Sequence, residues 1–379
     1  MRLEPTLKAP SRPRTLLAAV TVALSLGVAG CSGGTSTATA PTGSSASSDT
    51  AWAGSAGIAK AIDDLYSATT AAGESELVLY GPYAQLFQPL WDQFHSRFPK
   101  VTIVPKVLPA TATAATVAAE VQTGPHVGDV IMMGLAGVGV PADKDQLEPY
   151  QPPNASTLPS TYRDAKGRFV VQFGDVFGSL FNSSKMTAEE TPGSLADLLD
   201  PKYKGQVMDN PTLGVVSAFM LLPHHVKGQV SADYLVKLKA NSEFVEVQQP
   251  YYPKVAAGQV PLMPFVGHAQ FATMKQAGAT VGWVAKPGLG NLVLGASGII
   301  KGAPHLNAAK LFQAWFVTPE AQQLIVDKGN TIGLLPGLKL PAELQDYTKL
   351  TDAVPVPDVT TYAQLMSQFT TFAKQTLGS

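Results

Sequence analysis

PGSLADLLDPKYKGQVMDNPTLG, residues Pro192 to Gly214, runs from loop to helix, turn, strand and a second helix start, and each joint has a physical cause. Ser194 is placed to cap a helix whose Leu195, Leu198 and Leu199 share one face. Asp200-Pro201 stops that helix, because the residue before a proline avoids the helical region. Lys204-Gly205 turns the chain. Gln206 to Met208 reads as a short buried strand, and Asp209-Asn210-Pro211-Thr212 supplies the caps and first-turn proline of a new helix. Such a helix start points free N–H groups outward, so Asn210 and Thr212 are candidate contacts for an anionic or polar ligand.

The pattern P-x-S-x-A-D-L-L-D-P-K-Y-K-G, leading into a strand and a Pro-Thr loop, resembles the extracellular solute-binding proteins of ABC importers. Within them it is similar to the branch that takes ferric ion, putrescine, thiamine, phosphonates and sugar phosphates. The likeness runs from about Ile58 to about Pro336. It implies an α/β fold of the two-lobed periplasmic-binding-protein kind, type II-like, with hinge-crossing strands and a ligand cleft between the lobes. The partners it implies are a small polar solute and an ABC permease.

The bulk properties are compatible with this. A chain of 379 residues suggests two domains, since single cores stop growing beyond roughly 250–300 residues. A formal net charge of −1 gives no long-range field for nucleic acid, which is not expected as a partner. The one cysteine, Cys31, forms no intrachain disulfide and no cysteine metal cluster. Arg2, Lys8, Arg12 and Arg14 form a positive leader, Leu16 to Val28 an apolar run shorter than a membrane span, and Val28-Ala29-Gly30-Cys31 a small-residue cleavage site. This ending resembles a lipobox, which implies lipidation of Cys31 and anchoring to the outer face of the cytoplasmic membrane. The Ser-, Thr-, Gly- and Ala-rich stretch after it has too few large apolar residues for a core and reads as a tether. The expected organisation is a signal peptide over 1–31, a tether over 32–55, a first lobe over 56–171 and 294–338, and a second over 172–293 and 339–379.

Along the chain, Ile58, Ile62, Leu65 and Tyr66 recur at helical spacing, and Leu77 to Tyr80 begins a strand. Gly81-Pro82-Tyr83 would lie at its carboxyl edge, where ligands of open α/β sheets bind, which makes Tyr83, Ala84 and Gln85 candidates. The alternative for Tyr83 is a half-buried surface aromatic. A strand over Asp129 to Met133 leads into GLAGVG, read as a glycine-rich loop. Its spacing is not the dinucleotide fingerprint, and Gly134 and Leu135 are candidate contacts or plain turn residues. Asn154 to Asp164 reads as a surface connection.

Phe169 to Phe181, ending in Asn182, is similar to the family's strand that crosses from the first lobe to the second. That places Asp175 next to the cleft, as a ligand carboxylate or as a structural cap. His224-His225 reads as a loop pair without metal-ligand spacing. Where ferric-binding relatives carry an adjacent tyrosine pair, this chain has Val266-Gly267-His268; Tyr251-Tyr252 precedes the nearby helix, so the iron role is not carried onto it. Phe265 and His268 are instead candidate contacts for an organic solute. Val293 to Ile300 is expected to cross back. Lys301 to Phe312 closely resembles the family's K-G-A-P-H-x-N-A-A-K-L-F segment, with His305 at a helix entry, and a last helix over Thr360 to Leu377 is expected to pack on the second lobe.

The expected function is a monomeric, lipid-anchored receptor with no cofactor and no metal. The alternatives are a ferric-ion carrier or a solute sensor on the same fold. Catalysis is disfavoured, because H-E-x-x-H, G-x-S-x-G and P-loop patterns are absent. Asp175 with Tyr83, Phe173, Phe177 and Phe265 favours an amine. Helix starts at Tyr83 and Thr212 favour a phosphate or carboxylate, a zwitterion suits both, and an uncharged sugar stays open.

Overall fold

The computed structural model describes residues 50–214, 216–246, 248–350 and 359–378. The expected signal peptide, Cys31 and most of the expected tether lie outside the described residues.

The first lobe opens on α1 (Ala56–Ala71), whose start is fixed by Ser55: its hydroxyl accepts the Ile58 N–H at 3.2 Å. The elements that follow are β1 (Glu76–Tyr80), α2 (Gln88–Arg97), β2 (Thr102–Lys106), α3 (Ala110–Thr123), β3 (Val130–Gly134), α4 (Leu135–Asp143) and β4 (Leu147–Glu148). Leu90, Trp91 and Phe94 of α2 recur at helical spacing and are buried, with Leu77, Leu79 and Ile62, in one core. Asp129 ties this layer together, accepting the Val78 N–H at 2.7 Å and the His305 N–H at 2.8 Å.

The chain continues through β5 (Val170–Phe181), β6 (Gln206–Asp209), α5 (Val216–Val226), α6 (Ala232–Asn241), β7 (Ser242–Val245), α7 (Tyr252–Ala256), β8 (Leu262–Gly267), α8 (His268–Gln276) and β9 (Gly282–Val284). It then returns through β10 (Asn291–Ile300), α9 (Leu306–Phe316), α10 (Pro319–Gly329) and β11 (Ile332–Gly333), and α11 (Val359–Leu377) follows. In the nine-stranded sheet the order is β11-β5-β10-β3-β1-β2, with β4 on β10 and β8 and β9 on β5.

Two strands cross between the lobes. β5 pairs with β10 from Val170 to Phe177, and its remaining residues pair with β8 and β9. β10 runs the other way, opposite Gly174 to Phe177 at Asn291 to Leu294 and then onto β3 and β4. A hinge made of two strands lets the lobes rotate with few backbone changes.

Several local expectations change. The helix expected after Ser194 is two single 3₁₀ turns, Asp197–Leu199 and Pro201–Tyr203, because Asp200-Pro201 interrupts the segment after one turn. Asn210 to Leu213 is likewise one tight turn, closed by Gly214 at φ +67°, and α5 starts only at Val216; Thr212 is therefore not at a long helix's N-terminus. Tyr83 lies in a turn that precedes α2, so the anion site expected from a helix start there is absent. GLAGVG is not a loop: from Leu135 it is the first half of α4, whose packing on α3, β10 and α11 overrides the low helix propensity of glycine. His224 and His225 close α5, and their Nδ1 atoms pair with the Gln229 side chain at 2.9 Å and the Val230 carbonyl at 2.7 Å. Asn154 is buried and donates to the Ala314 carbonyl at 2.9 Å. α11 packs on α4 as well as on α5 and α6.

Candidate functional site

The strand ends converge on the space between the lobes. Gly81, at φ +138°, is forced to be glycine there, since a β-carbon would stand 2.0 Å from the Met132 carbonyl oxygen. This close approach carries Pro82 and Tyr83 over the end of β1. Across from them stand the start of α4, the hinge residues Phe177 and Asn291–Leu294, and one face of α5; together they enclose a cavity of about 770 Å³. Its walls are mostly apolar, with Phe177, Phe219, Met220 and Val293 among them, and Arg163 and Arg168 also reach it. Arg168 is already paired with Asp164 at 2.8 Å and Asp143 at 3.2 Å, whereas the Arg163 Nε is buried without a hydrogen-bond partner among the described residues.

Four of the residues expected from the sequence line this cavity: Tyr83, Gly134, Leu135 and Phe177. The Tyr83 ring meets Phe173 edge-on at 5.0 Å between centroids. Ala84 is buried, and its carbonyl accepts the Trp91 indole N–H at 2.6 Å; Gln85 is exposed and outside the lining. Asn210 accepts the Thr212 N–H at 3.1 Å, and Thr212 is buried. Phe265, at φ +64°, is packed into the second-lobe core. His268 is buried, with its Nδ1 2.8 Å from the Asn330 carbonyl and its ring against Phe271 and Trp283. It joins α8 to the end of α10.

Asp175 lies beneath the first turn of α8. The N–H groups of Ala269, His268 and Val176 draw its pKa down, but desolvation outweighs them and holds it up at about 7. Its Oδ1 is buried without a hydrogen-bond partner among the described residues. Asp209, at the end of β6, is pushed up to about 6 by burial. Sequence reasoning did not single out Asp209 as a contact, nor Tyr252. Their signal was available: Asp209 closes a strand at its carboxyl edge, just before the Asn-Pro-Thr turn.

Two tyrosines share the field of these acids. Burial raises the pKa of Tyr83, and the Asp175 charge raises it further; burial also raises that of Tyr252, followed by Asp209 and Asp175. Among the described residues no group of three or more His, Cys, Asp or Glu side chains is arranged to hold a metal ion.

Comparison with known proteins agrees with this architecture. Solved structures of similar fold include iron-bound HitA from Pseudomonas aeruginosa (17% identity, 79% of this chain and 99% of that one, TM-score 0.67). The substrate-binding protein of an ABC transporter from Agrobacterium tumefaciens is also similar (12% identity, 80% and 94% coverage, TM-score 0.70). So is the periplasmic binding protein AfuA from Actinobacillus pleuropneumoniae with bound fructose-6-phosphate (20% identity, 79% and 98% coverage, TM-score 0.61). An uncharacterised protein of Haemophilus influenzae is 26% identical over 205 residues, a match that covers 51% of this chain and 59% of that relative's length. Residues 140–358, more than half of the chain, match the model for bacterial extracellular solute-binding proteins. The chain belongs to the bacterial extracellular solute-binding protein family.

Proposed function

We propose that this protein is the solute receptor of an ABC importer, which captures a small polar solute between its lobes and delivers it to a membrane permease. The observation that supports the reading is the pair of crossing strands, β5 and β10, beside a cavity of about 770 Å³, with Asp175 buried on β5 and its Oδ1 without a hydrogen-bond partner among the described residues. Ligand pockets are clefts of this size with few polar groups, and a buried polar atom without a partner is costly unless a ligand completes it. Closure of the lobes would exclude water from the bound solute and give the permease a shape that reports occupancy.

The lipid at Cys31 and the tether after it would hold the receptor at the outer face of the cytoplasmic membrane, where it would act as a monomer. The buried acids of the cleft have a binding role in this account and no catalytic one. A ferric cargo is the weaker reading, because burial above all, and then the charge of nearby acids, disfavours at Tyr83 and Tyr252 the phenolates that a hard trivalent ion prefers.

A thermal-melt screen against amines, phosphonates, sugar phosphates, sugars, thiamine and ferric citrate tests the proposal. A true ligand at about a thousandfold over its dissociation constant adds roughly 4 kcal/mol of stability. The proposal fails if no solute shifts the melt and the purified protein, once denatured, releases no small molecule.

A further inference from the structure

Resting on the receptor reading, we propose that the solute is an organic monocarboxylate with an apolar body: Arg163 takes the carboxylate at the edge of the cavity, and the aromatic and aliphatic walls take the body.

The cavity holds one charge without a counterpart. Its charged lining residues are Arg163, Asp164 and Arg168. Arg168 and Asp164 satisfy each other. The Arg168 Nε and Nη2 donate to the Asp164 carboxylate at 2.9 and 2.8 Å, and the Arg168 backbone N–H donates to it at 2.9 Å. The remaining Nη1 reaches the Ala142 carbonyl at 3.3 Å and Asp143 at 3.2 Å. Burial pushes the Asp164 pKa up, but the bonds and charge of Arg168 outweigh it and hold it below the ordinary carboxylate value, so the two form an ionised, neutral pair.

Arg163 has no such partner. Among the described residues it forms no ion pair, and its Nε is buried without a hydrogen-bond partner. A guanidinium carries five N–H donors and a permanent charge, and one left unmatched beside an apolar space is rare unless something pairs with it. The backbone fixes its place: the Arg163 N–H donates to the Ser160 carbonyl at 3.2 Å, and the residue bridges to Val170, where β5 begins. The unmatched cation is therefore tied to the foot of a crossing strand. The start of α4 has the same sign. Leu135, Ala136 and Gly137 line the cavity, and the helix begins without a side-chain cap or an acid in its first turn, so its free N–H groups favour an anion.

The charge and body of the solute follow from this inventory. One unmatched guanidinium balances one carboxylate, whose two oxygens fit its planar fork. A phosphate monoester would bring a second negative charge toward Asp164 and toward walls that cannot solvate it. Those walls include Phe177, Phe219, Met220 and Val293, which suit an aryl or alkyl body. An ammonium finds no free acid in the lining, because Asp164 is taken by Arg168 and Asp175 and Asp209 lie outside it.

The test is isothermal titration of the full chain with 3-phenylpropionate, octanoate, 3-phenylpropanamide, 2-phenylethylamine, glucose 6-phosphate and ferric citrate. At least one of the two carboxylates should bind, and 3-phenylpropionate should bind at least about tenfold more tightly than its neutral amide or the amine. Arg163→Gln should abolish the preference for acid over amide, whereas Phe219→Ala should weaken acid and amide alike, a division that general unfolding would not give. The proposal is overturned if neither carboxylate binds, if the amide or the amine binds as well as the acid, or if Arg163→Gln, folded by circular dichroism, keeps the preference within about twofold. Binding of the amine, glucose 6-phosphate or ferric citrate in place of the carboxylates would remove the monocarboxylate and leave the receptor reading standing. Binding of none of the six, with nothing released on denaturation, would remove both.

Discussion

Gly267 lies so close under Asp175 that a β-carbon at Gly267 would stand 2.5 Å from the carboxylate Oδ2. The glycine lets the N-terminus of α8 approach the buried acid, and the acid fixes where α8 begins. Gly267→Ala should therefore lower stability by about 1–3 kcal/mol, as overpacking of a dense interior does, with the urea midpoint as the measurement. An unchanged midpoint would mean that Asp175 moves aside freely, and its burial would lose its structural meaning.

The same acid predicts an unusual pH dependence. Asp175 rises from its ordinary 3.8 to about 7 and Asp209 to about 6, so the folded protein binds these protons more tightly than the unfolded chain does. Their contribution is fully present below about pH 4 and is lost as pH rises through about 6 to 7. The carboxylates with lowered pKa, Asp164 and Glu320 among them, act in the opposite sense but below about pH 4.5. Melting of the ligand-free protein should accordingly become easier between about pH 5 and 8, and Asp175→Asn should flatten that slope. A melting temperature that climbs over this range would contradict the burial of both acids.

Glu320 joins the two outer helices of the first lobe. Its oxygens accept from Arg97 at 2.6 and 2.8 Å, from the Trp315 indole at 3.0 Å and from Gln93 at 3.1 Å, and the Arg97 guanidinium covers the Trp52 ring at 4.0 Å. Glu320→Gln keeps the shape but removes the charge, and should cost about 1–3 kcal/mol in chemical denaturation. Loss of less than a few tenths would show that solvent already screens the pair.

At the hinge, a β-carbon on Gly295 would stand 2.1 Å from the Phe173 ring. β10 changes register between Gly295 and Ala296, where it leaves the second-lobe half of its path. Gly295→Ala should destabilise by more than 1 kcal/mol, an estimate from overpacking, and Phe173→Leu in the same chain should restore part of it. Additive losses in the double variant would rule out the contact as the cause.

Much of the fold was legible because its causes are local. The helical spacing of Ile58, Ile62, Leu65 and Tyr66 and the α2 stripe of Leu90, Trp91 and Phe94 were readable from residue type, whereas the crossing strand around Asp175 was readable through its resemblance to the family's. GLAGVG was not, because nothing in six small residues announces the helix packing that makes them the start of α4. Of the cleft, Tyr83 and Leu135 were readable from strand ends, whereas the α5 wall and the shared field of Asp209 and Tyr252 arise only when distant segments meet.

Closure of the lobes on a solute is the central claim, and a distance measurement reaches it most directly. Val107, beyond β2, and Val236, on α6, are 53% and 52% exposed and belong to opposite lobes. With Cys31→Ser removing the one native cysteine, Val107→Cys and Val236→Cys can carry spin labels in the full chain. Pulsed electron resonance should show the distance distribution shift to shorter values by several ångströms, and narrow, when a solute that binds by calorimetry is added. A distribution that stays the same at saturating solute would contradict the account.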